Sequence, residues 1–182
     1  MHHKGVYHLD VKPENILVSK EDFTVKVIDF EFSRTKKDIT ETALIRDWRN
    51  RSLLYMPPEI VKLVVDVNVG KPIAWGVALD WEKVDVFALG VSLFSVMFYT
   101  SPFADGKALA SDKCYGLAAC GKWSEFWEAN WQVKQIVKKM CEIDEAITKS
   151  LISLVSDMLE YKPRDRPRMK DVVAMEMFKG IK

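Results

Sequence analysis

No apolar run in this 182-residue chain is long enough to cross a bilayer. The longest, Val86 to Tyr99, is interrupted by Gly90, Ser92 and Ser95 and falls short of the roughly 20 residues that a spanning helix needs. It reads as a helix buried in protein. The opening Met1-His2-His3-Lys4-Gly5 lacks the apolar stretch of a secretory signal. Cysteine is scarce: Cys114, Cys120 and Cys141 are odd in number and show no C-x-x-C spacing. A disulfide framework and a zinc site are therefore not expected, and reduced thiols in an intracellular, cytoplasmic protein fit the pattern better. Excess charge is missing as well, since 27 Lys and Arg stand against 26 Asp and Glu. That balance gives no reason to expect nucleic acid or an anionic membrane as partner. No internal repeat is present, and the length suits one folded domain.

What the chain does have, near its start, is a polar cluster that turns abruptly apolar: HLDVKPEN, residues 8 to 15, followed by Ile16-Leu17-Val18. The second apolar run, Phe23 to Ile28, lies across Ser19-Lys20-Glu21-Asp22, which predicts a β-hairpin with Phe23, Val25 and Val27 on one face. Such a hairpin holds Asn15 and Asp29 near its open end. Residues 31 to 54 are polar without a sustained period and read as a long surface segment. From Asp80 the character changes. Asp80 is placed to cap a helix that begins at Trp81, and Val84 to Tyr99 is apolar on nearly every side, with Asp85 the lone charge. Leu151, Ile152, Leu154, Val155, Met158 and Leu159 recur with amphipathic helical spacing up to Lys162-Pro163, and Phe126 to Ile143 and Lys170 to Phe178 read similarly. The expected fold is mainly α, a helical bundle around a buried central helix with a small β-hairpin near the N-terminus.

The polar cluster has a chemical logic. Phosphoryl transfer is mostly positioning and electrostatics, and it needs a carboxylate to accept a hydroxyl proton, a cation to offset charge, and hard oxygens for Mg²⁺. Asp10, Lys12 and Asn15 supply these within six positions, and Asp29 adds a second oxygen ligand. Pro13 biases Lys12 away from helical dihedrals, so the segment should remain a loop. His8 is expected to pack and hydrogen-bond, and the Trp and Met residues to fill the core. Gly116 to Lys122 spells G-x-x-x-x-G-K, but Trp123 stands where Mg²⁺ chemistry wants Ser or Thr, and no apolar strand precedes it. A helix-turn-helix is the better account of that stretch.

In these motifs the chain resembles the C-terminal lobe of a eukaryotic protein kinase. HLDVKPEN is similar to the H-R-D-L-x-x-x-N catalytic loop, DFE at 29 to 31 stands where D-F-G is usual, and PPE at 57 to 59 stands for A-P-E. DVFALGV, residues 85 to 91, resembles the family's central buried helix, and RDRP, 164 to 167, its late Arg-containing motif. The resemblance implies a catalytic loop at 8–15, an activation segment at 29–59 and a helical subdomain at 80–182. It implies Asp10 as catalytic base, Lys12 as the contact to the γ-phosphate of ATP, and Asn15 and Asp29 as Mg²⁺ ligands. It further implies Ser52 as a link between the substrate-binding and catalytic loops, Glu59 with Arg166 as a buried ion pair, and Asp85 as an anchor for the catalytic-loop backbone. Lys12, two residues after Asp10, looks like the serine/threonine branch, so the expected activity is transfer of phosphoryl groups to Ser or Thr of protein substrates.

Three departures qualify the resemblance. The 182 residues contain no G-x-G-x-x-G, no V-A-I-K lysine and no partner Glu. An exposed apolar face is therefore expected where the N-terminal lobe, or a partner covering the same face, would dock, with weak nucleotide binding by the chain alone. That departure keeps a second reading open, a catalytically inactive, pseudokinase-like interaction module. Leu9 replaces an Arg that in the family pairs with a phosphate on the activation segment, so phosphorylation of Thr35, Thr40 or Thr42 is expected to matter less. Glu31 replaces the Gly after Asp29-Phe30, with strain expected if that position is left-handed.

Overall fold

The computed structural model describes residues 1–37, 48, 53–68, 79–103 and 111–179. Four short strands come first: β1 (Val6–Tyr7), β2 (Ile16–Val18), β3 (Val25–Val27) and β4 (Arg34–Thr35). Seven helices follow among the described residues: α1 (Pro58–Asn68), α2 (Trp81–Phe98), α3 (Lys113–Ala119), α4 (Trp123–Ala129), α5 (Trp131–Ile143), α6 (Glu145–Met158) and α7 (Met169–Val173).

β2 and β3 form the expected antiparallel hairpin, with Ile16 opposite Val27 and Val18 opposite Val25. Cross-strand partners share a face, so four aliphatic side chains line one side. Phe23 does not join them. Its φ of 57° puts it in the turn, where its N–H reaches the Ser19 carbonyl at 3.1 Å. A second antiparallel pair, β1 with β4, joins Val6 to Thr35 and Tyr7 to Arg34. It corrects the reading of residues 31–54 as surface segment throughout, and so does Trp48, which is only 2% exposed. The pairing was hidden because two-residue strands carry no period.

α2 runs through the centre, as its apolar surface on all sides requires. Twelve of its residues are buried, Asp85 and Lys83 among them. Phe94 meets Phe98, Phe126 and Trp127 with ring centroids 4.7, 6.0 and 5.5 Å away, which seats α4 on the C-terminal half of α2. Gly90 lets α6 approach closely: a Cβ there would lie 2.8 Å from the Met158 Cβ. At the start of α2, Asp80 is the N-cap residue but its side chain caps nothing, because it turns to Arg168 Nη2 at 3.5 Å.

The stretch read as one helix from Phe126 to Ile143 is two. Asn130 Oδ1 accepts the N–H groups of Gln132 and Val133 at 2.9 and 3.2 Å and starts α5 afresh. Asp144 does the same for α6 through the Ile147 N–H, so that helix begins well before Leu151. Near the end, Lys170–Phe178 resolves into α7 and a 3-10 turn, Glu176–Phe178. The Gly116–Lys122 stretch is helical through Ala119 and ends at Gly121 with φ 67°, a helix-turn-helix without a phosphate-binding loop.

Candidate active site

Pro13 sets the local geometry by holding Lys12 extended, at φ −159° and ψ 160°. Residues Pro13–Asn15 then close one 3-10 turn, the Asn15 N–H donating to the Lys12 carbonyl at 3.0 Å. This turn brings the buried Asn15 back onto Asp10. Asn15 Nδ2 donates to the Asp10 carbonyl at 2.9 Å and to Asp10 Oδ2 at 3.0 Å. Both acceptors are oxygens, so only the NH₂ end of the amide can face them, and Oδ1 lies on the opposite side. Lys12 Nζ meets the same Asp10 Oδ2 at 2.8 Å. No described residue bonds Asp10 Oδ1 or Asn15 Oδ1.

Beneath this cluster lies the buried Asp85 carboxylate. Its Oδ1 accepts the Leu9 N–H at 2.7 Å, and its Oδ2 accepts the His8 N–H and His2 Nε2–H, both at 2.8 Å. The loop backbone is thus fixed from below, as expected of Asp85. Sequence alone assigns His2 no role, because a histidine six residues ahead of His8 matches no spacing rule. Its Nδ1 also lies 3.6 Å from Glu82.

Asp29 follows the end of β3. The Ile28 N–H donates to the Asn15 carbonyl at 2.9 Å, and the Ile28 carbonyl accepts from His8 Nε2 at 3.0 Å. His8 therefore carries a proton on Nε2, which leaves Nδ1 to accept the Asp10 N–H at 3.3 Å. Held on both sides, Ile28 delivers Asp29 next to Asn15 at the open end of the hairpin. Asp29 is exposed, and no described residue bonds its carboxylate. Its φ is 63°, in the left-handed region. Glu31 has no positive φ, so the strain expected at Glu31 sits two residues earlier, on a residue type that tolerates it.

The Asn15 amide oxygen, just before β2, and the Asp29 carboxylate, just after β3, are hard donors at the open end of the hairpin. They suit Mg²⁺, which takes one or two protein oxygens and completes its octahedron with water and phosphate. The described residues contain no cluster of three or more His, Cys, Asp or Glu placed to hold a metal.

Farther from the cluster, Arg166 has no exposed side-chain surface and binds Glu59 through two bonds of 2.7 and 2.8 Å. It also donates to the carbonyls of Glu160, Tyr161 and Lys83, and its guanidinium lies 4.8 Å from the centre of the Phe87 ring. Ser52, Thr40 and Thr42 lie outside the described residues. The hairpin exposes Leu17, Val18, Val25 and Val27, and its apolar face runs into a groove of about 730 Å³ walled by Ile16, Val27, Leu89 and Met169. No helix among the described residues is long and apolar enough to cross a membrane.

Comparison with known proteins agrees with this arrangement. The family model for the protein kinase domain matches residues 1–178. The chain belongs to the protein kinase family. It is 33% identical over 115 residues to the serine/threonine-protein kinase KSP1 of Saccharomyces cerevisiae, covering 63% of this chain and 10% of that protein. It is 29% identical over 180 residues to CBL-interacting serine/threonine-protein kinase 19 of Arabidopsis thaliana, covering 98% of this chain and 29% of that protein. The chain thus spans well under half the length of these curated relatives. The crystal structure of Rad53 kinase domain and SCD2 shares the fold, with a TM-score of 0.57 at 19% identity over 98% of this chain and 51% of that one.

Proposed function

We propose that the chain carries the phosphoryl-transfer half of a protein serine/threonine kinase, with 8–15 as catalytic loop, 29–59 as activation segment and 80–182 as the helical subdomain that supports them. The observation that carries this reading is the shared grip on Asp10 Oδ2. Lys12 and Asn15 both hold that oxygen, which leaves Asp10 Oδ1 to accept the proton of an incoming seryl or threonyl hydroxyl. The same bonds orient the Asn15 amide so that its oxygen is available beside Asp29. Lys12 is placed to follow negative charge, moving from Asp10 to the γ-phosphate of ATP. Asn15 and Asp29 would hold Mg²⁺, which would supply positive charge to offset that of the ATP phosphates. The exposed apolar hairpin is the surface that an N-terminal kinase lobe, or a partner of equivalent shape, covers. Three free cysteines suit a reducing intracellular compartment.

The test is transfer of labelled γ-phosphate from ATP to a Ser/Thr protein substrate by the longest expressible form of the protein. Transfer that falls at least about 100-fold in Asp10→Asn and in Asp29→Ala supports the reading. Absence of transfer by the folded protein, with or without Mg²⁺-ATP binding, refutes this reading and favours the alternative, a catalytically inactive, pseudokinase-like interaction module.

A further inference from the structure

Leu9, between buried His8 and the candidate base Asp10, combines three features. It is a non-glycine residue at φ 63°, its N–H is held by Asp85 Oδ1 at 2.7 Å, and its side chain is only 6% exposed. A left-handed backbone is strained for a branched L-residue, and it persists only where the surroundings over-determine it. The Asp85 bond fixes the backbone from below. The side chain belongs to the main apolar core, together with Trp48, Met56, Ile60 and Val84. Leu9, Trp48, Tyr55 and Met56 also line one cavity of about 330 Å³ together with Asp10 and Lys12. Trp48 is braced in turn on Trp81, the first residue of α2, with ring centroids 5.7 Å apart.

We infer that Leu9 and Trp48 are positioning residues: their burial in one apolar seat, braced on α2, maintains the left-handed turn that aims Asp10. The inference rests on the reading of Asp10 as the proton acceptor, and the Leu9 side chain shares the apolar core with Trp48, Met56, Ile60 and Val84. The partial cavity beside Leu9 makes the seat sensitive to loss of any one wall, since a void has no partner atoms to offer. Release of the seat frees residue 9 to return to ordinary dihedrals, which breaks its bond to Asp85 and redirects the Asp10 side chain.

Amide hydrogen exchange of the 182-residue chain, followed by NMR, tests this without any assay of phosphoryl transfer. In Trp48→Ala the Leu9 N–H should exchange on the order of tenfold faster or more, with the Phe87 and Val91 amides inside α2 unchanged. Trp48→Phe keeps an aromatic ring against Trp81 and should restore most of the protection. Equal acceleration at Leu9, Phe87 and Val91 reveals general destabilisation and overturns the inference, as does a Leu9 rate that matches the parent. Should Trp48→Ala fail to fold, Met56→Ala removes another wall of the same cavity and is judged by the same comparison. Because the readout is local opening, its failure leaves the reading of Asp10 standing, and inactivity of the enzyme leaves this result interpretable.

Discussion

Asn15 shows how much one short side chain does: its two N–H groups tie the Asp10 carbonyl to the Asp10 carboxylate, and its remaining oxygen is thereby aimed. Asn15→Ala removes two buried bonds, one of them to a charged group, and should lower stability by about 2 kcal/mol in urea unfolding with an unchanged slope. Tyr115 offers a pH test at the same scale. Burial pushes its phenol well above the ordinary 10.0, with Tyr161 and Glu59 adding to the effect. The unfolded chain releases that proton near pH 10 while the folded chain keeps it, so the contribution is complete below pH 10 and is lost as pH rises beyond it. Stability measured from pH 9 to 11 should decline less steeply in Tyr115→Phe than in the parent. Asp10, Lys12 and Asn15 were legible from sequence because their chemistry and spacing are local. The left-handed backbone of Leu9 and Asp29 was not, since no side-chain type announces it. His2 and Trp48 owe their places to contacts with α2, more than thirty residues away.

At the scale of elements, α2 was legible because a helix apolar on every side has only one place to go. It starts at Trp81, but not through the expected side-chain cap: the Asp80 side chain pairs with Arg168 and the backbone carbonyl of Asp80 opens the helix instead. The division at Asn130 was missed because the apolar period continues across it, and a single capping oxygen outweighs that period by satisfying two free N–H groups. Between α2 and α6 the deciding residue is Gly90. Gly90→Ala places a methyl 2.8 Å from Met158 Cβ and 3.3 Å from Leu159 Cδ2, and overpacking of this kind should cost about 1–3 kcal/mol, read as a lower urea midpoint.

At the scale of the molecule, Arg166 joins residue 59 to residue 166 and leaves no surface of its own exposed. Arg166→Met strands the Glu59 carboxylate and should lower stability by about 3–5 kcal/mol, with only part of the loss recovered in Glu59→Gln/Arg166→Met because the Glu160, Tyr161 and Lys83 carbonyls still lack their donor. The hairpin acts in the opposite sense, because its exposed aliphatic face invites self-association. Val18→Thr/Val25→Lys should shift sedimentation toward monomer while circular dichroism stays constant. The account as a whole depends on Asn15 and Asp29 sharing one ion beside a nucleotide. Paramagnetic broadening by Mn²⁺ with ATP measures that directly: the account predicts that broadening centres on the Asn15 side-chain amide and the Asp29 N–H and disappears in Asp29→Ala. Broadening that leaves these two signals sharp, or that survives unchanged in Asp29→Ala, contradicts it.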